Sequence, residues 1–267
     1  MQGGNRIKRR LAAGEQLYGA WVSTGSTANT ELLATAGYDF LVIDQEHGAA
    51  SIETAIELMR ACIVGGADPI VRVPWNDQVY LKRILDAGAT SVMIPMVENE
   101  EEAKAAVAAC LYPPYGRRGY AAPALRCSGY GRDTDYRAKW HENLFLIAQI
   151  ESAGAAERAE SIARVDGVDM VLIGVNDMAG TIGKLEQLAD PEVRALVELA
   201  EGNLKKVGKP YGTVPSAART PEQLFAEGYA LVAGAGDVPL LAAAARADLA
   251  RVRGGAGLPG RPAGPYG

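Results

Sequence analysis

The strongest constraint on the fold of this chain is a rhythm. Short runs of aliphatic and β-branched residues alternate with longer stretches of helical periodicity, and the alternation repeats eight times. The predicted strands are Leu17 to Ser23, Tyr38 to Asp44, Pro69 to Val73, Ser91 to Val97, Leu144 to Ile150, Asp169 to Gly174, Pro210 to Val214 and Tyr229 to Gly234. Most are apolar on both faces, as strands of a parallel sheet covered by helices must be. Several helical stretches end in Gly and two open with Pro, the residues favoured just past and just inside a helix. Eight such units predict an α/β fold, a closed (β/α)8 TIM barrel forming a single domain over residues 1–253, rather than an open doubly wound sheet. The remaining stretch, 254–267, reads GGAGLPGRPAGPYG. It is too rich in Gly and Pro to bury apolar surface and is expected to be a flexible tail.

One segment breaks the rhythm. Leu111 to Asn143 separates the fourth helix from the fifth strand and is far longer than a usual connection. It reads as either a functional flap or an assembly surface.

Charge and cysteine content narrow the function. A net charge of −5, with acidic and basic residues mixed throughout, gives no footprint for nucleic acid or an anionic membrane. The basic N-terminal stretch lacks the apolar run of a secretory signal, and no run is long enough to span a bilayer. Cys62, Cys110 and Cys127 are odd in number and lack metal-ligand spacing. They are expected to be buried or free thiols in a cytoplasmic protein.

In a barrel of this type chemistry gathers at the C-terminal strand ends. Those ends carry Asp44, Glu46 and His47 after the second strand, Arg72 in the third, Gln149 and Glu151 on the fifth, and Asn176 and Asp177 after the sixth. Glu151 and Asp177 follow neighbouring strands, whose spacing is about 4.8 Å. Carboxylates that close either share a proton or hold a cation between them. Oxygen ligands suit a hard divalent ion such as Mg²⁺ or Mn²⁺, with Co²⁺ also compatible. The plainer alternative is that each acid caps the helix that follows it. Arg72 interrupts an apolar strand and needs an anion: Asp44 or Glu46, or an oxyanion formed in the mouth. His47 has a side chain suited to moving protons, and Asp44 is positioned to orient it. The Gly-rich VAGAGD after the eighth strand could cradle phosphate, but no lysine or arginine accompanies it.

Together IDQEHG, VRVPWND, LDAGATSVMIPMV, YPPYGRRGY, QIES and GVDMVLIGVNDMAG resemble the HpcH/HpaI aldolase family, metal-dependent class II pyruvate aldolases acting on 4-hydroxy-2-oxo acids. The likeness runs from about Leu17 to Val252. It implies a (β/α)8 barrel, a homohexamer that exchanges the last helix between neighbours, and a divalent metal held by Glu151 and Asp177. It further implies that Gln149 orders the site, that Arg72 holds the pyruvyl oxygen, and that His47 with Asp44 moves the proton. Asp86 matches an aspartate acting across a subunit interface, and Trp21 a residue near the pocket. Gly174, Val175 and Asn176 fall where the family binds the substrate carboxylate. There the chain departs from the family, with Val175 and Asn176 replacing a proline and an alanine, so hydroxypyruvate is a possible donor beside pyruvate.

The expected reaction is aldol cleavage or formation of a 4-hydroxy-2-oxo acid from a 2-oxo acid and an aldehyde. Breaking the C3–C4 bond leaves an enolate whose charge the cation and Arg72 share. No lysine projects from a strand to form a Schiff base. The runner-up reading is a related lyase acting on a CoA thioester, for which a phosphate-binding groove is hinted at only by Arg117 and Arg118.

Overall fold

A computed structural model describes residues 4–253. In chain order the elements are α1 (Arg6–Ala12), β1 (Leu17–Val22), α2 (Thr27–Thr35), β2 (Phe40–Asp44), α3 (Ile52–Gly65), β3 (Asp68–Arg72), α4 (Gln78–Asp86), β4 (Ser91–Ile94) and α5 (Glu100–Cys110). Then come α6 (Tyr136–Asn143), β5 (Phe145–Ile150), α7 (Ala153–Arg164), β6 (Met170–Ile173), α8 (Val175–Thr181), α9 (Pro191–Lys205), β7 (Tyr211–Thr213), α10 (Pro221–Ala226), β8 (Leu231–Gly236) and α11 (Asp237–Val252). The strands close into one parallel barrel in chain order, β1 pairing with both β2 and β8. Every predicted strand is present, with ends displaced by a few residues. The expected tail at 254–267 lies outside the described residues.

Several strand-to-helix turns finish on a side chain that caps the helix. Ser51, Asp77, Asn99 and Ser152 each accept a backbone N–H from the first turn of α3, α4, α5 and α7, which satisfies donors the helix cannot. Alternation along the strands then divides the core in two. Leu41 and Ile43 of β2 face the helical layer, whereas Phe40 and Val42 fill the barrel with Ile70, Met93, Phe145, Ile147, Met170 and Leu172. Fully burying one such large side chain is worth roughly 1.5–3 kcal/mol. Gly19 makes room for the Phe40 ring, because a Cβ there would stand 2.4 Å from it. From below, Ile7 of α1 joins the inner cluster and closes the barrel floor.

The long connection is a packed unit rather than a flap over its own mouth. It runs from the end of α5 to the start of β5, and so lies level with the N-terminal strand ends. Its centre is Arg118, whose side chain is fully buried between the rings of Tyr112 and Trp140, 4.6 and 4.5 Å from their centroids. The Arg118 guanidinium donates to Asp86 at 2.6 Å and to the Tyr136 hydroxyl at 3.3 Å. Burial removes Arg118 from any phosphate groove, so the hint of a CoA site falls. Tyr115, Tyr120 and Tyr130 of the same connection are exposed, which favours the assembly-surface alternative.

Only Asp237 of α11 is buried, while Leu240, Leu241 and Leu249 are exposed. No helix among the described residues is long and apolar enough to cross a membrane. All three cysteines are free and buried.

Candidate active site

Near the C-terminal strand ends the inward positions turn polar. Counting by twos along the strands, the apolar filling gives way to Trp21 on β1, Asp44 on β2, Arg72 on β3 and Gln149 on β5, with Glu151 just beyond β5. Period-two alternation thus carries side chains of four strands, β1, β2, β3 and β5, into a common mouth.

Arg72 and Asp44 are register partners on β3 and β2. They form a forked pair: Nε donates to Oδ1 at 3.0 Å and Nη2 to Oδ2 at 2.7 Å. Nη1 stands 3.0 Å from Glu46 Oε2. The guanidinium carbon lies 4.5 Å above the Trp21 ring, and that ring is itself fixed by its Nε1–H donating to Ala233 O at 3.0 Å. Two of the five N–H donors of an arginine go to Asp44 as hydrogen bonds, and Nη1 faces Glu46 as an ion pair without hydrogen-bond geometry, so donors remain for an incoming oxygen. Arg72 therefore has its internal salt bridges and also the capacity to bind an anion.

Asp44 does not orient the His47 ring as its sequence position suggested. Its Oδ1 also accepts the backbone N–H of Glu46 and of His47, at 3.1 and 3.3 Å, so it shapes the turn instead. The imidazole is exposed at the rim, and its nearest carboxylate is Glu46, with Nε2 to Oε2 at 3.8 Å. Sequence reasoning offered Glu46 only as an anionic partner for Arg72, which it faces across 3.0 Å. Burial pushes its carboxyl above the ordinary range against the pull of Arg72 and His47, with Asp44 and Asp177 adding to the rise.

Glu151 is 2% exposed. Ser152, not Glu151, caps α7, and Gly174, not Asp177, stands at the cap position of α8; the capping alternative fails for both acids. Glu151 Oε1 accepts the backbone N–H of Met96 at 2.9 Å, delivered by a left-handed turn with φ 51° at Met96. That conformation costs a non-glycine residue of order 1–3 kcal/mol. Oε2 accepts from Gln149 Nε2. Gly174 leaves space for this carboxylate, since a Cβ there would lie 2.6 Å from Glu151 Oε2. Burial foremost, with the facing charges of Glu46 and Asp177, pushes Glu151 up to about 7 against the hydrogen bonds from Met96 and Gln149.

The mouth therefore gathers Asp44, Glu46, Glu151 and Asp177 around one arginine, an excess of negative charge that a divalent cation would relieve. Among the described residues no three His, Cys, Asp or Glu side chains converge on a single point. Two carboxylates completed by water or substrate is the pattern that suits Mg²⁺. Gln149 Oε1 is buried without a hydrogen-bond partner among the described residues, a further acceptor facing no donor. Glu151 and Asp177, the latter exposed in the first turn of α8, have the oxygen chemistry that suits a hard cation.

Other expected residues fall differently. Val175 packs against the outer core, so only its backbone borders the mouth, and Asn176 is exposed in the first turn of α8. Asp86 ends α4, the helix that returns from the mouth to the barrel floor, and pairs there with Arg118; it does not join the site of its own chain. No phosphate cradle forms at VAGAGD, because the Asp237 carboxylate occupies the turn, accepting N–H groups of Ser23, Thr24 and Val238. A cavity of about 440 Å³ outside the barrel wall, between α9 and α10, is lined by charges that satisfy one another: Arg219 pairs with Glu201 and Glu227, and Tyr229 donates to Glu201.

Comparison with known proteins gives the family. The profile described as HpcH/HpaI aldolase/citrate lyase matches residues 17–244. A pyruvate aldolase of Rhizobium etli is 39% identical over 252 residues, covering 92% of this chain and 97% of the relative. A hydroxypyruvate/pyruvate aldolase of Agrobacterium fabrum is 36% identical, covering 94% of each. The crystal structure of an HpcH/HpaI aldolase/citrate lyase family protein from Burkholderia cenocepacia superposes with a TM-score of 0.88 at 34% identity, covering 93% of this chain and 99% of that one. With its closed eight-stranded barrel and acid-rich mouth, the chain belongs to the HpcH/HpaI aldolase/citrate lyase family and is a carbon–carbon lyase.

Proposed function

We propose that the protein cleaves and forms 4-hydroxy-2-oxo acids, using pyruvate or a close analogue such as hydroxypyruvate together with an aldehyde. The observation that carries this reading is the presence in one mouth of a buried, charge-crowded Glu151 and of Arg72, an arginine that keeps donors available. The names of the relatives support the substrate class.

Glu151 and Asp177 would hold the cation, Mg²⁺ or Mn²⁺ with Co²⁺ also suitable. When bound, it supplies Lewis-acid polarisation of the 2-oxo group. The protein's own part is as follows. Asp44 and the Trp21 ring fix the Arg72 guanidinium, which donates to the 2-oxo oxygen and meets the negative charge that develops there as C3–C4 breaks. Gln149 holds Glu151 in place by donating to its Oε2. His47 at the rim accepts the 4-hydroxyl proton in cleavage and returns it in synthesis. Gly174, Val175 and Asn176 border the donor side through the backbone at the start of α8.

The exposed apolar face of α11 supports a homohexamer in which this helix packs on a neighbour, and Asp86 would then act across the subunit interface. We place the protein in the cytoplasm with small-molecule partners only.

The test is an aldol assay. Purified protein, pyruvate and a panel of aldehydes are mixed with Mg²⁺, Mn²⁺ or Co²⁺, then again after chelation. Metal-dependent formation of a 4-hydroxy-2-oxo acid is expected. Silence throughout, or turnover restricted to CoA esters, overturns the reading.

A further inference from the structure

At the edge of the mouth Met96 adopts φ 51°, a left-handed conformation that a non-glycine residue keeps only when its surroundings over-determine it. The strain has a use, because the Met96 N–H donates to Glu151 Oε1 at 2.9 Å. The β4–β5 ladder ends at Ile94 opposite Ala148, so the turn beyond it is held by other bonds. Val97 N–H donates to Gln149 O at 3.0 Å. Glu98 supplies the rest. Its Oε2 accepts the Ser152 hydroxyl at 2.6 Å, and its carbonyl oxygen accepts Arg158 Nε–H at 2.7 Å. Both partners belong to the start of α7, directly after Glu151. Ser152 caps that helix by accepting Ala155 N–H. The Arg158 guanidinium lies over Gly154, where a Cβ would stand 2.7 Å from Nη2, and Nη2 is 3.7 Å from Glu98 Oε2.

We propose that Glu98 is the positioning residue for Glu151. By tying the chain just past the turn to Ser152 and Arg158, Glu98 locks the Met96 turn against the segment that carries Glu151. The Met96 N–H thereby fixes Oε1 of that carboxylate while Gln149 fixes Oε2. Without the bond to Ser152 the turn relaxes, Met96 leaves the left-handed region, and its N–H is withdrawn from Glu151. Outer contacts of this kind set metal affinity because they orient the ligand before the ion arrives. The inference rests on the reading of Glu151 as a ligand of a divalent cation.

Two measurements test it. The first is titration calorimetry with Mn²⁺ alone. Losing an outer contact costs roughly 10- to 100-fold in metal affinity, and Glu98→Ala should show such a loss. Glu98→Gln keeps an acceptor for the Ser152 hydroxyl but no charge, and should stay within about threefold of the parent. Glycine enters the left-handed region freely, so in a Met96→Gly background the loss caused by Glu98→Ala should shrink to about threefold or less. Three results would overturn the proposal. Unchanged affinity in Glu98→Ala leaves the residue without effect, an equal loss in Glu98→Gln assigns the effect to charge, and an undiminished loss in the Met96→Gly background bypasses the turn.

The second measurement needs no metal. Amide hydrogen exchange of the chelated protein is read by mass spectrometry on peptides spanning residues 95–98, with peptides of α3 as the reference for global unfolding. The segment should exchange at least about 10-fold faster in Glu98→Ala, and at the parental rate in Glu98→Gln. Identical rates in the parent and Glu98→Ala refute the lock. If the parent binds no Mn²⁺, the metal reading fails, while the exchange measurement still decides whether Glu98 holds the turn against Glu151.

Discussion

Glu151→Gln should change how the stability of the metal-free protein depends on pH, and the sign follows from the site. The buried carboxyl is held at about 7 in the folded chain against an ordinary value of 4.5. Between those values the folded state binds more protons at this position than the unfolded state, so stability falls as pH rises through the window and levels off above it. The full penalty is about 3 kcal/mol, of which roughly 1.5 accrues between about pH 6 and pH 8.5. A glutamine keeps the shape and an acceptor for the Met96 N–H but carries no charge. Chelated samples of both proteins, at one protomer concentration, are unfolded in urea at the two pH values. The variant should gain about 1.5 kcal/mol relative to the parent on going to the higher pH. Saturating Mn²⁺ should stabilise the parent and not the variant, since binding to the folded state alone adds stability by mass action. A parent-to-variant difference flat to within about 0.5 kcal/mol would show that Glu151 is not held up by burial and its neighbours.

Three further outcomes follow from contacts at single residues. Gly174→Ala places a methyl 2.6 Å from Glu151 Oε2 and should weaken Mn²⁺ binding about 10- to 100-fold, as loss of outer support commonly does; titration calorimetry reads it, and an unchanged affinity would separate Glu151 from the metal. Arg72→Lys loses the forked pair with Asp44 and the stacking on Trp21, so turnover should drop by on the order of 10² with the circular dichroism spectrum unchanged; near parental rates would remove Arg72 from the chemistry. Gly19→Ala drives a methyl into the Phe40 ring and should cost at least about 1–3 kcal/mol by denaturant unfolding, and a neutral effect would mean that the inner core yields more readily than its packing implies.

The barrel was legible because its signal is redundant. Strands buried on both faces leave continuous apolar runs, and the turns after them end on Ser, Asp or Asn caps. Where that redundancy fails, elements went unread. In α1 only Ile7 is buried, so it leaves no periodic stripe. Arg118 shows the opposite failure. Two adjacent arginines look like a solvated basic pair, yet this one is enclosed by Tyr112 and Trp140, residues far along a connection whose path no local periodicity records.

Within the site, legibility follows the ladder. Asp44 and Arg72 sit opposite each other in register, so their pairing could be read from strand positions alone, as could the shared rim of Gln149 and Glu151. Glu46 and His47 lie past the end of β2, where no ladder fixes direction, so the surroundings of the exposed imidazole could not be read from strand positions. The pairing of Arg72 with Asp44 has an electrostatic consequence. The register commits one edge of the Arg72 guanidinium to Asp44, with Nη1 facing Glu46, and Arg72 is not among the groups that act on the Glu151 carboxyl. Glu151 therefore either takes a proton, as its raised value allows, or meets a cation from outside the chain, and on the proposed reading the alignment of β2 with β3 contributes to that choice as much as the two acids do.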